Sequence, residues 1–505
     1  MTRQARLSIV SGMVAILWVS ARGVAQDRRW PSERPPQPLA SRDVAFPPFE
    51  IKSLPNGLQV VVVNHHEQPA VSLRLIVRAG SAQDPVGKPG VAALAMSLLD
   101  QGTTSRSAQQ IAETIDTVGG ELSAGTGRDL SYVEAAVMKD SFELAMRLFA
   151  DIVRNPSFAP EEIERQRQQV LSALRVSHED PEYVANVVID RLVYGFHPYG
   201  LPGNGTRDSV ALISQEDLRA FHRQHFAPNN GLLAVVGDVT APEAMAAVTA
   251  AFGDWPRREI PPFPEADPPP SAKRIVVVDK PGAVQTEVRV GQLAMPRKTP
   301  AFLAMDLAIR ILGGEGANRL HQVLRTERGL TYGAEANLEP LKRAGQVVAT
   351  TNTRSEATAE VLRLIVDEFS RLRRERVNER ELSDAKAYLT GNLPLTLETP
   401  EQIATHILNV LFYELPLDEL QTYRQRINAI TADDISAVAR QYVRPEQLSV
   451  VLVGNARAFT KDLGGVGFAR FELVPLDNLY LGAADFTRRH PAARQPDLQL
   501  LARPR

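Results

Sequence analysis

Apolar positions in this chain switch between two periods, and the switching happens twice. After the turn Leu54-Pro55-Asn56-Gly57, the β-branched run Leu58 to Val63 reads as a strand, and Val71 to Val77 as the next. A helix opens at Gly87 to Gly90 and is expected to run through Leu99. A second covers Ser107 to Val118 and stops at Gly119-Gly120. Strands follow around Leu122 to Thr126 and Ser131 to Val137. Helices are then expected over 140–154, 159–177, 181–193 and 214–225, and Leu232 to Gly237 closes the series as a buried strand.

The proline-rich segment 261–272 interrupts this order, and the pattern restarts after it. ISQEDLRAFHRQHFAPNNGLLAVVGD (213–238) lies over ITADDISAVARQYVRPEQLSVVLVGN (430–455) without a gap. Ser214 and Thr431 match as helix N-caps, each with an Asp three residues on; Pro228 matches Pro445 and Gly237 matches Gly454. PEEIERQRQQVL (160–171) resembles the segment at 380–389 in the same way. The chain therefore reads as two copies of one α+β domain. Its expected divisions are 1–25 (signal peptide), 26–48 (extended lead-in), 49–260 (first domain), 261–272 (linker), 273–482 (second domain) and 483–505 (loose tail).

One stretch of the second domain, ILGGEGANRLHQVLRTERGLTYG (311–333), has the punctuation of a corner. Gly313-Gly314 ends one element, and Asn318 to Arg328 has no Pro or Gly. Leu320, Val323 and Leu324 make one apolar helical face, and Gly329 stands where a left-handed residue ends a helix. Leu330 to Ala334 then reads as the start of a strand. Arg325 and Tyr332 would flank this corner and point into the same space.

Composition narrows the function. The 505 residues carry a net charge of −2 with no basic block, which excludes nucleic-acid binding on electrostatic grounds. With no cysteine there is no disulfide, thiol nucleophile or Cys-ligated zinc. Arg3 and Arg6, a short apolar run and Gly23-Val24-Ala25 have the form of an export signal cut after Ala25, so the chain is expected in the periplasm or secreted. That run is short for a membrane span of about 20 residues, and no other segment is apolar enough to cross. No GxSxG, SxxK or GxxxxGK[ST] motif is present. His222 and His225 form an HxxH pair on a charged helix without a catalytic Glu, and read as wet surface; His197, in HPYG (197–200), reads as a structural corner.

The stretch at 313–332, GTTSRSAQQIAETIDTVGGEL (102–122) and HPYG together resemble the pitrilysin-type metallopeptidases, the family of insulin-degrading and mitochondrial processing peptidases. The resemblance covers about 49–480. It implies an α+β fold of two repeated domains, each a mostly antiparallel sheet backed by helices. It also implies that Arg325 and Tyr332 reach an active site whose zinc lies on another domain or subunit. An active first domain would carry HxxEH on the helix after the opening glycines, the two His binding zinc and the Glu activating water. Here Ala93, Met96 and Ser97 replace those residues, and Ser172 and Ala173 stand where a further Glu ligand is expected, so no zinc is held by this chain.

Some bacterial members of the family divide the labour between a zinc subunit and a subunit with the Arg–Tyr pair. The resemblance implies that this chain is the second kind, a substrate-binding subunit of an exported heterodimeric peptidase whose zinc sits in an HxxEH partner. Peptide substrate would lie as an added strand on the edge at Leu122, Ser123 and Ala124. The alternatives are a scaffold with the peptidase fold and a peptide-capture protein without proteolysis. Replacing Tyr332 by Phe separates them.

Overall fold

Strand patterns and glycine turns build two six-stranded sheets in the computed structural model, which describes residues 45–263, 267–270, 273–314 and 318–488. The first contains β1 (Phe49–Ser53), β2 (Gln59–Asn64), β3 (Ala70–Val77), β4 (Glu121–Thr126), β5 (Ser131–Met138) and β6 (Gly231–Gly237), in the order β1-β2-β6-β3-β5-β4. The second contains β7 (Ile275–Asp279), β8 (Gln285–Ala294), β9 (Ala334–Glu339), β10 (Gly345–Arg354), β11 (Ser449–Gly454) and β12 (Glu472–Pro475), in the order β12-β7-β11-β8-β10-β9. Pairing is antiparallel except for β2 with β6, β7 with β11 and β7 with β12. The two orders superpose strand for strand from β2 and β7 outward to β4 and β9, so the sequence repeat is a repeat of topology. The fold is α+β, two copies of one sheet-and-helix domain.

In the first half the helices are α1 (Val91–Met96), α2 (Ala108–Thr117), α3 (Phe142–Arg154), α4 (Pro160–Glu179), α5 (Pro181–Tyr194), α6 (Arg207–Leu212), α7 (Gln215–His225) and α8 (Ala241–Phe252). The second half has α9 (Phe302–Gly313), α10 (Arg319–His321), α11 (Thr358–Arg374), α12 (Glu379–Asn392), α13 (Pro400–Phe412), α14 (Glu419–Ala429), α15 (Ala432–Tyr442) and α16 (Ala456–Leu463). The matched caps are real: Ser214 and Thr431 each accept from the amide of the Asp three residues on, and that Asp bonds back to the cap amide at 2.7 and 2.8 Å.

Two helices depart from the one-domain, one-core plan. α5 lays Val184, Val188, Ile189 and Val193 on the second sheet, against Val276, Val278, Val451 and Val453. Reciprocally, α13 lays Ile403, Ile407, Leu408 and Phe412 on the first sheet, against Val61, Val63, Leu232 and Val236. Each domain thus lends a helix to cover the other's outer sheet face. That is why β6 and β11 are buried at every position and read as unbroken apolar runs. At about 1.5–3 kcal/mol for each fully buried large aliphatic side chain, these two exchanges weld the halves together.

Three expectations are corrected. α1 ends at Met96 rather than Leu99: the Ser97 hydroxyl bonds back to the Leu94 carbonyl at 3.0 Å, and tighter turns carry Leu98 and Leu99 into the core. Residues 483–488 are packed rather than loose, with Phe486 fully buried beside the guanidinium groups of Arg191 and Arg274. The HxxH pair is not wet surface. His225 is buried, and His222 bonds the Val153 carbonyl at 2.8 Å while stacking on Phe226. Burial pulls both imidazoles down to about 4, so they are neutral core groups. Residues 1–44, with the expected export signal, lie outside the described residues.

Candidate functional site

The corner around Arg325 and Tyr332 begins with a close approach. A Cβ on Gly313 would sit 2.3 Å from the Ala336 amide nitrogen, so only glycine lets α9 end against β9. Asn318 then caps α10, accepting from the His321 amide at 2.7 Å, and Arg319 is buried in a two-pronged pair with Glu381 of α12 at 2.7 and 2.9 Å. Leu320 and Leu324 fill the core as their spacing predicts. From Gln322 to Glu327 the chain widens into a π-helical turn, which carries Arg325 on its exposed side. Gly329, at φ +62°, reverses the chain as expected.

The strand does not begin at Leu330, as the pattern suggested, but at Ala334. Side-chain hydrogen bonds hold the intervening residues in a bend. The Thr353 hydroxyl donates to the Leu330 carbonyl at 2.7 Å, and the Thr351 hydroxyl to the Gly333 carbonyl at 2.7 Å. The Thr331 hydroxyl also reaches the Gly333 carbonyl, at 2.8 Å, and meets the Thr351 hydroxyl at 2.9 Å. Tyr332 rides on this braced bend with 84 % of its surface exposed. Sequence reasoning missed this brace. Its signal was present: Thr351 and Thr353 are polar residues at core-facing positions of an alternating strand.

Arg325 and Tyr332 are both solvent-facing, and neither is committed to a carboxylate. Among the described residues, the one polar partner of the Arg325 guanidinium is His321, whose Nε2 lies 3.3 Å from Nη1. Its neighbours differ, since Arg319 is taken up by Glu381 and Arg328 lies 3.8 Å from Glu360.

In the first domain, α1 occupies the place of the expected metal helix. Met96 is buried in the core, Ala93 is half-buried, and Ser97 is the C-cap. Ser172 and Ala173 are exposed on α4. The side chains at these five positions do not fit a zinc ion: they offer two hydroxyls and a thioether, with no imidazole or carboxylate. Among the described residues, no group of three His, Cys, Asp or Glu side chains is placed to hold a metal.

Leu122, Ser123 and Ala124 lie on β4, the outermost strand of the first sheet, hydrogen-bonded on one side only to β5. β9, which follows Tyr332, is its counterpart at the edge of the second sheet. The far ends of these two edge strands are bolted together. Asp129, in the β4–β5 turn, accepts from the Tyr199 hydroxyl of HPYG and from the Lys342 amide of the β9–β10 turn at 2.7 Å. Beside it, Arg128 pairs with Asp190 at 2.6 Å and Glu339 at 3.2 Å. His197 supports Tyr199, accepting from its amide at 3.1 Å, so HPYG is a structural corner that spans both domains.

Comparison with known proteins agrees with this architecture. Residues 59–206 match the family described as Insulinase (Peptidase family M16), and residues 212–389 match the Peptidase M16 inactive domain. An uncharacterized zinc protease of Mycobacterium leprae is 29% identical over 409 residues, covering 79% of this chain and 90% of that protein. The crystal structure of a peptidase M16 inactive domain from Pseudomonas fluorescens is 28% identical with a TM-score of 0.77, covering 81% of this chain and 98% of that one. A protease from Helicobacter pylori shares the fold at 22% identity, with a TM-score of 0.76 and coverage of 81% and 99%. The chain belongs to the insulinase (M16) peptidase family.

Proposed function

We propose that this chain is the zinc-less, substrate-binding subunit of an exported heterodimeric peptidase, and that it supplies Arg325 and Tyr332 to the zinc site of an HxxEH partner. The observation that carries the reading is one contrast within the chain. The metal helix has become core packing, while Arg325 and Tyr332 stand exposed on a braced corner with no carboxylate partner. A peptidase-fold scaffold has no use for an arginine and a phenol displayed to solvent on such a corner.

The roles follow from the chemistry of the two groups. Hydrolysis of a peptide bond builds negative charge on the carbonyl oxygen, and a phenol positioned in advance donates to that oxygen without reorganising. The guanidinium offers several donors in a fixed fork, suited to a backbone carbonyl of an extended peptide. Zinc chemistry would belong wholly to the partner.

The test is Tyr332→Phe, assayed in the complex formed with the zinc-bearing partner from the native host. Losing one donor to a developing oxyanion costs about 10²–10³ in kcat. Because Tyr332 is exposed, urea unfolding of the chain should be unchanged. Full turnover by the variant, or peptide cleavage by this chain alone, would overturn the reading.

A further inference from the structure

We propose that His321 is the positioning residue of Arg325, holding its guanidinium in place through a neutral imidazole; the proposal rests on the functional reading above. An arginine N–H can only donate, so the contact at 3.3 Å requires a lone pair on His321 Nε2 and the proton on Nδ1. The bond runs from Nη1 of Arg325 to an acceptor four residues earlier, one helical turn away, where side chains naturally meet.

The choice of a neutral acceptor matters chemically. A carboxylate at this place would hold Arg325 as Glu381 holds Arg319, taking two donors and cancelling the charge. Imidazole takes one N–H. The remaining donors and the full positive charge stay available for a carbonyl of the bound peptide. His321 is itself well seated. Its amide is fixed by Asn318, and the two residues between them, Arg319 and Leu320, are buried. The ring therefore links the rigid base of the corner to the π-helical turn that displays Arg325. A long side chain free in water would lose its rotamer freedom on gripping substrate, and this restraint removes part of that loss beforehand.

The decisive measurement is ¹⁵Nε relaxation of arginine side chains in the full isolated chain, with no partner present. In the wild type, Arg325 should be more ordered than Arg380, whose side chain is 92% exposed and held only by a 3.6 Å surface pair with Asp384. His321→Leu should bring Arg325 to the mobility of Arg380, and His321→Gln, which keeps an acceptor, should restore the order. In the complex with the zinc-bearing partner, His321→Leu should raise KM by about two- to tenfold with kcat little changed, and His321→Gln should recover KM. Equal mobility of Arg325 and Arg380 in the wild type would overturn the proposal, as would a His321→Leu variant unchanged in both relaxation and KM. Failure of the functional reading is seen separately, as full turnover by Arg325→Ala in the complex; the relaxation data then still decide whether His321 restrains Arg325.

Discussion

Replacing Tyr199 by Phe removes one oxygen from the bolt between the two domains. The ring keeps its neighbours, lying 4.6 Å from His197 and 5.5 Å from Tyr194, so the change is confined to the hydroxyl. That hydroxyl donates to Asp129, which is 4% exposed and whose other oxygen takes the Lys342 amide. A hydrogen bond to a buried charged acceptor contributes about 1.5–3 kcal/mol, so a loss of about 2 kcal/mol is expected at neutral pH. The pH dependence follows from Asp129. Burial raises its carboxyl above the ordinary value, while the Tyr199 hydroxyl and the Lys342 amide pull it back down. A carboxyl with a raised folded-state value binds its proton more tightly when folded. Its favourable contribution is therefore present at low pH and is lost as pH rises through the folded value. Deleting the hydroxyl raises that value further, so the cost of Tyr199→Phe is greatest at neutral pH and shrinks on acidification as Asp129 takes up its proton. Urea unfolding of both proteins at about pH 8 and about pH 5 reads this out. A loss below about 0.5 kcal/mol at the higher pH, or one that grows on acidification, would refute the reasoning.

Three further outcomes are expected. Thr351→Val removes one of the two hydroxyl donors to the Gly333 carbonyl, so Tyr332 should be held less well and turnover of the complex should fall about tenfold, at a stability cost near 1 kcal/mol by urea unfolding. Restoring the lost motif with Ala93→His, Met96→Glu and Ser97→His should not restore tight zinc binding by calorimetry, because Ser172 and Ala173 supply no further ligand. The buried glutamate should also destabilise the fold by several kcal/mol, and tight zinc binding would refute this account of α1. His222 and His225, pulled down to about 4, stay neutral in the fold but protonate in the unfolded chain. Each contributes up to about 3 kcal/mol that is fully present above the ordinary imidazole value and lost as pH falls toward 4. His222→Gln should flatten that loss in urea midpoints measured across the range.

Local signals carried much of this architecture. The matched caps at Ser214 and Thr431, the β-branched runs and the apolar spacing of Leu320 and Leu324 depend on neighbours a few residues away, and the structure places them as their chemistry requires. The misreadings involve partners distant in sequence. His222 is drawn inward by Val153 and Phe158, and Tyr332 is kept out of β9 by hydroxyls on β10. The exchange of α5 and α13 is intermediate. The run VANVVIDRLVY is apolar around most of its circumference, the mark of a helix covered on more than one side, but nothing local says which sheet covers it. Of the candidate site, Arg325 and Tyr332 were singled out by the family resemblance of their stretch, whereas His321 and the threonine brace needed the fold.

The helix exchange also has a consequence for biogenesis. The outer face of the first sheet, with Val61, Val63, Leu232 and Val236, is covered by side chains of α13, which lie far toward the C-terminus. While the chain is being synthesised from its N-terminal end, the first half can complete its sheet but leaves that face greasy and bare until residues 400–412 have arrived. Only then can both halves close together. Such a chain gains from being kept unfolded until it is whole, and from a holdase that masks the uncovered face in the meantime.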